Sequence, residues 1–116
     1  MNDLDIPILK KSYDLYKTFH EYRKLMPKCD RFTLYERCEC TMINILEFIF
    51  EAGYAKGADK TKLLEQGSVQ LNLLRLLIRL LKDIKSIDSK KYIVLQQIID
   101  EIGRMLGVWI RSSIVR

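Results

Sequence analysis

One histidine, His20, occurs in 116 residues. A His-based triad therefore has no choice of partner, and metal sites assembled from several His and Cys lack their ligands. Cysteine is scarce too: Cys29, Cys38 and Cys40 are odd in number. Cys38 and Cys40 would project about 200° apart on a helix, which disfavours a bridge between them, so all three read as small reduced apolar residues. The two prolines both fall near the start. No alternating apolar and polar run with turn punctuation occurs, so a sheet has little support. No G-x-x-x-x-G-K-[ST] phosphate loop is present. Glu47 and Glu51, one turn apart, lack the Glu-x-x-His companions of di-iron bundles and read as a solvated or salt-bridging face. Arg75, Arg79 and Lys82 interrupt the most apolar segment, so no run of about 18 apolar residues remains to cross a membrane. The opening MNDLDIPILKKSYD carries acids where a secretory signal carries positive charge. Together these gaps point away from an enzyme, a metal or a cofactor, and towards a cytoplasmic protein with no membrane partner.

What is present is helical periodicity. Hydrophobic residues make up 48% and charged residues 30%, the balance of a single globular domain over residues 1–116 with a modest core. Asp5-Ile6-Pro7 offers an N-cap followed by proline in the first turn, and Ile8, Leu15, Phe19, Tyr22 and Met26 recur at helical spacing, predicting a first helix over roughly 6–26. MPKCDRFT breaks it. Thr33-Leu34-Tyr35-Glu36 has the spacing of a capping box and predicts a second helix over about 34–55. Gly53 and Gly57 in AGYAKGADK look like helix termination, and a third helix follows over about 59–85. SIDS then supplies a turn, with Asp88 or Ser89 capping a fourth. Short connections make sequential helices antiparallel neighbours, so the expected fold is all-α, an up-down-up-down four-helix bundle.

The third predicted helix is more apolar than one core face requires. Ser68, Asn72, Arg75, Arg79 and Lys82 share a polar stripe about 100° wide, while Val69, Leu73, Leu76, Leu77, Leu80 and Ile84 join the core-spaced leucines around the rest. The second helix has the same excess: Met42, Ile45 and Ile49 form one line and Ile43, Leu46 and Phe50 another. Either the third helix sits centrally and is covered all round, or these faces mark self-association; the second reading is preferred.

Charge is uneven, with a net value of +5. The second helix is acidic, through Glu36, Glu39, Glu47 and Glu51. The third is basic, through Lys60, Lys62, Arg75, Arg79, Lys82 and Lys85. Arg104 and Arg111 fall two turns apart on the fourth helix, within about 20° of one another. A basic stripe on rigid helices suits a polyanion, because each cation that neutralises a phosphate releases a condensed counterion. Tyr13, Tyr16, Tyr22 and Tyr92 have the spacing of core-edge residues rather than of a base-stacking platform.

In DEIGRMLGVWIR, Gly103 and Gly107 sit inside a helical pattern beside the only tryptophan. Each interior glycine costs about 0.5–1 kcal/mol relative to alanine, which is offset when a missing side chain lets a neighbour approach. Gly103 and Gly107 are therefore expected to receive another helix closely, with Trp109 anchoring the bundle end and Arg104 and Arg111 left on the outer face.

YDLYKTF, CDRFTLYERCE, LLRLLIRLLKDI and above all IDEIGRMLGVWIRSS resemble the four-helix-bundle accessory variability determinants of diversity-generating retroelements, from about Tyr13 to Ser113. The family pattern often has glycine where this chain has Val108, and a glycine near Tyr35. The resemblance implies a homopentamer shaped like a short barrel, basic on its accessible surface. It implies binding to the retroelement's reverse transcriptase and to RNA or DNA during mutagenic retrohoming, without a catalytic centre. Arg75, Arg79, Lys82, Arg104 and Arg111 are the residues expected to meet nucleic acid or the partner protein. Related bundles encoded in ribosomal RNA intervening sequences share the fold, and an RNA-associated structural role of that type is the alternative.

Overall fold

A computed structural model describes residues 6–114, and among them all regular structure is helical. Helix α1 spans Pro7–Glu21 and runs into a 3-10 turn at Tyr22–Leu25; a single helical turn, α2, spans Lys28–Arg31. Helices α3 (Leu34–Ala52), α4 (Gly57–Asp83) and α5 (Ser89–Ile114) complete the chain. Cross-helix pairs give the directions. Along α4 and α5, Thr61 meets Ser113, Arg75 meets Asp100 and Lys82 meets Tyr92, one number rising as the other falls. Asn44 with Gln70, Phe19 with Tyr35, and Lys11 with Glu101 extend the pattern around the molecule. The bundle is up-down-up-down, with α1 beside α3 and α5, and α4 beside α3 and α5.

The core is the shared apolar line of the four long helices. Phe19 and Leu15 of α1 meet Tyr35, Ile45 and Ile49 of α3, Leu64, Leu74, Ile78 and Leu81 of α4, and Leu95, Ile99 and Ile102 of α5, all essentially inaccessible. Gly67, in the interior of α4, is buried against α3 and α5. A Cβ there would lie 3.5 Å from Phe48 Cβ and 4.0 Å from Leu106 Cδ2. It sits at a helix–helix contact, and its apolar phase within the third predicted helix was the available signal.

Several local expectations change. Pro7 opens α1 with Ile6 at the N-cap; Asp5, expected to cap it, lies outside the described residues. The first helix stops at Glu21, and α2 occupies part of the expected break. The Thr33–Glu36 capping box does not form. Thr33 holds a non-helical backbone and its hydroxyl donates to the Cys29 carbonyl, closing α2 instead. Ser86, in the α4–α5 turn, donates through Oγ to Asp30 Oδ2 and ties α2 to the bundle. Gly53 ends α3 with a right-handed φ of −63°, and Gly57, at φ +59°, begins α4 rather than ending a helix. Helix α4 ends in a Schellman arrangement: Ser86 N–H bonds the Leu81 carbonyl, Lys85 N–H the Lys82 carbonyl, and Lys85 takes the left-handed φ of 66°. Asp88 then caps α5 by accepting from Lys91 N–H at 2.8 Å, and that bond holds its carboxyl below the ordinary aspartate range.

Helix α4 is not covered all round. Val69 and Leu76 are each 65% exposed, and Leu80 and Ile84 about half. With Leu73 they form one stripe within roughly 80°. It lies on the side of α4 that Gln70 turns towards α3, away from the Arg75 side that meets α5.

Candidate nucleic-acid interface

Of the five basic residues expected to meet an anion, Arg75 and Arg104 line one groove between α4 and α5, Lys82 reaches Tyr92 of α5, and Arg79 and Arg111 share the faces of Arg75 and Arg104 on their own helices. Arg75, Arg79 and Lys82 lie on the α5-facing side of α4's outer surface, because spacings of four and three residues keep them within about 60°. Arg104 lines the same groove as Arg75, together with Ser68, Leu71, Asn72, Asp100 and Gly103. Arg111 follows two turns further along α5. Since α4 and α5 are antiparallel, the ladder from Lys82 to Arg111 extends over roughly 25–30 Å at 1.5 Å per residue.

The ladder is uneven in its internal pairing. Arg75 Nη2 stands 3.3 Å from Asp100 Oδ1, and Nη1 donates to Asn72 Oδ1 at 3.3 Å. Arg79 pairs with Asp83 one turn on, both well exposed, and Lys82 Nζ sits 5.0 Å above the Tyr92 ring. Among the described residues, Arg104 and Arg111 have no ion-pair partner. The exposed pairs are worth little in water, so an entering polyanion can compete with Asp100 and Asp83 for the guanidinium groups at small cost.

The two glycines differ in what approaches them within the chain. A Cβ on Gly103 would lie 2.7 Å from Arg75 Nη2 and 3.6 Å from Leu71 Cδ2, so what approaches is side chain rather than neighbouring backbone. Among the described residues no other helix comes within 4 Å of a Cβ at Gly107; the nearest atom is Arg111 Nη1, at 3.5 Å. Both glycines therefore lie beneath guanidinium groups. Trp109 is half-buried against the core at the bundle end, with Lys60 Nζ 5.7 Å above its ring.

The acidic side of α3 and the basic stripe of α4 do not meet within the chain. Asn44 faces α4 through Gln70, and Glu51 lies on the same side two turns later. The apolar stripe of α4 separates them from Arg75 and Arg79. A second apolar surface lies between α1 and α3, where Tyr13, Tyr16, Lys17, Ile43 and Leu46 line a shallow groove and Phe50 is 41% exposed.

A polar cluster that sequence reasoning missed fastens α1 to α3. Tyr35 OH donates to Glu39 Oε2 at 2.7 Å, and His20 Nδ1 lies 3.2 Å from the same oxygen. His20 stacks on Tyr16 and Tyr35 on Phe19, with the Arg23 guanidinium 5.2 Å from the Tyr35 ring centre. Burial alone would raise the Glu39 carboxyl, but hydrogen bonds from Tyr35, His20 and Tyr16 outweigh it and hold the group below the ordinary glutamate range. Burial first, then the Glu39 charge, pushes the Tyr35 hydroxyl far above its ordinary value. The same causes push the buried Cys38 thiol up to about 12, which keeps it protonated and unreactive. The one available signal was the Tyr35–Glu39 spacing of four. Cys29 and Cys40 are exposed and unpaired with other cysteines, and among the described residues no group of three His, Cys, Asp or Glu is placed to hold a metal ion. Among the described residues, no helix is long and apolar enough to cross a membrane.

The fold and the seam define a small all-α bundle whose distinguishing surface is a rigid basic ladder. The chain belongs to the bAvd-like family, the bacterial accessory variability determinants, whose family model matches residues 6–113. This family is not a known family of enzymes. It is the first of the two families that the sequence resemblance left open. No curated relative matches the chain.

Proposed function

We propose that this chain is a non-catalytic accessory protein of a diversity-generating retroelement, which assembles head to tail into a ring and uses its α4/α5 seams to hold RNA or DNA and to dock the reverse transcriptase. The observation that carries the reading is the ladder of Arg75, Arg79, Lys82, Arg104 and Arg111 along one antiparallel helix pair, in a chain of this family. Rigid helices fix the spacing of the cations, so contacts to phosphate cost little ordering, and each contact releases a counterion. A reverse transcriptase with an acidic docking surface meets the same field.

Assembly follows from the two apolar surfaces. The α4 stripe and the α1/α3 groove lie on different sides of the bundle and differ in shape, so each is better covered by the other on a second copy than by itself. A pairing of unlike faces is heterologous and closes into a ring when the rotation allows, the family's pentamer being the expected number. Rim charges are opposite in sign and so complementary: Lys17 borders the groove, and Glu47 and Glu51 project from the exposed side of α3 beside the stripe. The ring leaves the α4/α5 seams repeated around its surface.

The experiment is light scattering of the purified protein in moderate salt, followed by RNA-binding titration and co-purification with the reverse transcriptase encoded beside its gene. A mass near five chains with both partners bound supports the proposal. A monomer at micromolar concentration, or a gene lying inside a ribosomal RNA locus with no polymerase nearby, contradicts it.

A further inference from the structure

The groove between α4 and α5 has a volume of about 530 Å³ and contains one acid, Asp100, set among Arg75, Arg104, Ser68 and Asn72. Two contacts hold the Arg75 guanidinium, one within α4 and one across the groove, and a third ties its backbone to α5. Nη1 donates to Asn72, Nη2 pairs with Asp100, and the Arg75 carbonyl accepts from Gln96 Nε2 at 3.4 Å. The guanidinium then lies over Gly103, where a Cβ would come within 2.7 Å of Nη2. The three atoms nearest that Cβ position all belong to α4 side chains, Arg75 and Leu71, so the space the glycine leaves open is filled from α4 and chiefly by the guanidinium. Arg75 is the group that a side chain at 103 would displace.

An arginine has five N–H donors, and two of its nitrogens are engaged here. The remaining donors belong to a side chain that is 33% exposed, opposite Arg104, which has no ion-pair partner among the described residues. A guanidinium already held in place loses less freedom on binding than a mobile one. Its fork matches two oxygens of one phosphate, which a lysine at the same place does not. Asp100, 60% exposed, is the internal anion that holds the fork while the groove is empty and that an entering phosphate must displace or share.

Resting on the nucleic-acid reading above, we propose that the groove is a built phosphodiester site. Arg75 and Arg104 are its two cationic walls, Gly103 is the floor on which Arg75 lies, and Asp100 is a counter-ion that competes with the backbone phosphate of a bound strand. Asp100 thereby sets affinity downward and keeps Arg75 correctly placed.

The test is fluorescence anisotropy of a labelled 20-nucleotide oligouridine RNA with the full-length protein, for Asp100→Asn, Gly103→Ala, Arg75→Ala and the Asp100→Asn/Arg75→Ala pair, with oligomeric mass and urea midpoint measured on each. Asp100→Asn keeps a polar partner for Arg75 and removes the competing charge, so affinity is expected to rise by about fivefold, on the scale of one unit charge at contact distance in water. That gain is expected to vanish when Arg75 is alanine. Gly103→Ala is expected to keep or raise the urea midpoint, since alanine favours the helix and only a flexible side-chain end must move, while RNA affinity falls.

Asp100→Asn without effect, a gain that persists without Arg75, or Gly103→Ala with unchanged affinity overturns the proposal. Inorganic phosphate displacing the RNA far better than chloride at matched ionic strength would instead assign the site to free phosphate, which also overturns it. Failure of the broader reading looks different: Arg79→Ala and Arg104→Ala variants would then bind RNA as the wild type does. If those variants weaken binding while the Asp100 and Gly103 variants do not change it, only the groove assignment falls.

Discussion

Tyr35 stacks on Phe19 with ring centres 4.7 Å apart and planes 14° from parallel, while its hydroxyl reaches out of the core to Glu39. One side chain thus closes the α1/α3 end of the bundle with its ring and satisfies a carboxylate with its tip. Tyr35→Phe keeps the stack and removes a charge-assisted hydrogen bond, for an expected loss of about 1.5–3 kcal/mol. Tyr35→Ala also opens a cavity, and its loss should be about 3–5 kcal/mol. Urea midpoints of the two variants give the comparison; equal losses would show that the ring does not matter.

Acid sensitivity should concentrate at the same cluster. The Glu39 carboxyl is held lower in the folded chain than an ordinary glutamate, so the unfolded chain takes up its proton first as pH falls. The stabilisation is present above the unfolded value of about 4.3 and is lost as pH drops through the lower folded value. Glu39→Gln removes this dependence. Urea midpoints measured from pH 6 down to 3 should show a wild-type advantage at pH 6 that narrows in acid; a constant difference would separate Glu39 from the acid response.

Lys85 pays a conformational penalty at the end of α4. Its φ of 66° places a side-chain-bearing residue where glycine is favoured. Lys85→Gly should therefore raise stability, by about 1 kcal/mol on the scale of the left-handed cost, with no change in oligomeric mass. A lower thermal midpoint would mean that the lysine side chain contributes more than its backbone costs.

These cases show where the sequence was legible. The four long helices follow from periodicity, because Ile45, Ile49, Leu74, Ile78, Ile99 and Ile102 repeat at core spacing, and burial confirms each. The excess apolar lines also read correctly, since Leu76 and Phe50 are the residues left exposed. Local caps were less legible. Thr33 had the right spacing for a capping box, but its hydroxyl donates to the Cys29 carbonyl of α2 and does not accept from the Glu36 amide. The basic ladder was visible as a stripe on one helix; its pairing with Arg104 depended on the antiparallel register of α4 against α5. Gly103 was legible as an anomaly, and its neighbour was not, since Arg75 is far away in sequence. The Glu39 cluster joins residues from two helices and the 3-10 turn that follows the first, and no single periodicity brings them together.

Assembly has its own test. Leu76→Glu places a charge at a position that is 65% exposed in the single chain, so the fold should change by no more than about 0.5 kcal/mol. If the α4 stripe is covered by a second copy, light scattering should show the ring dissociating, and Phe50→Glu in the other face should do the same. A full-mass ring from both variants would place the contacts elsewhere.

The central claim is that the α4/α5 ladder binds nucleic acid through its phosphates. Its most direct test is the salt dependence of RNA affinity for the wild type and for Arg75→Ala/Arg79→Ala, with assembly verified in the same samples. Each phosphate contact contributes about 0.7–0.9 to the slope of log affinity against log salt. The double variant should remain assembled, bind more weakly whatever the sequence of the RNA, and show a slope shallower by one or more contacts per bound strand. An assembled variant with unchanged affinity and unchanged slope would contradict the account and leave these arginines as a solvated face.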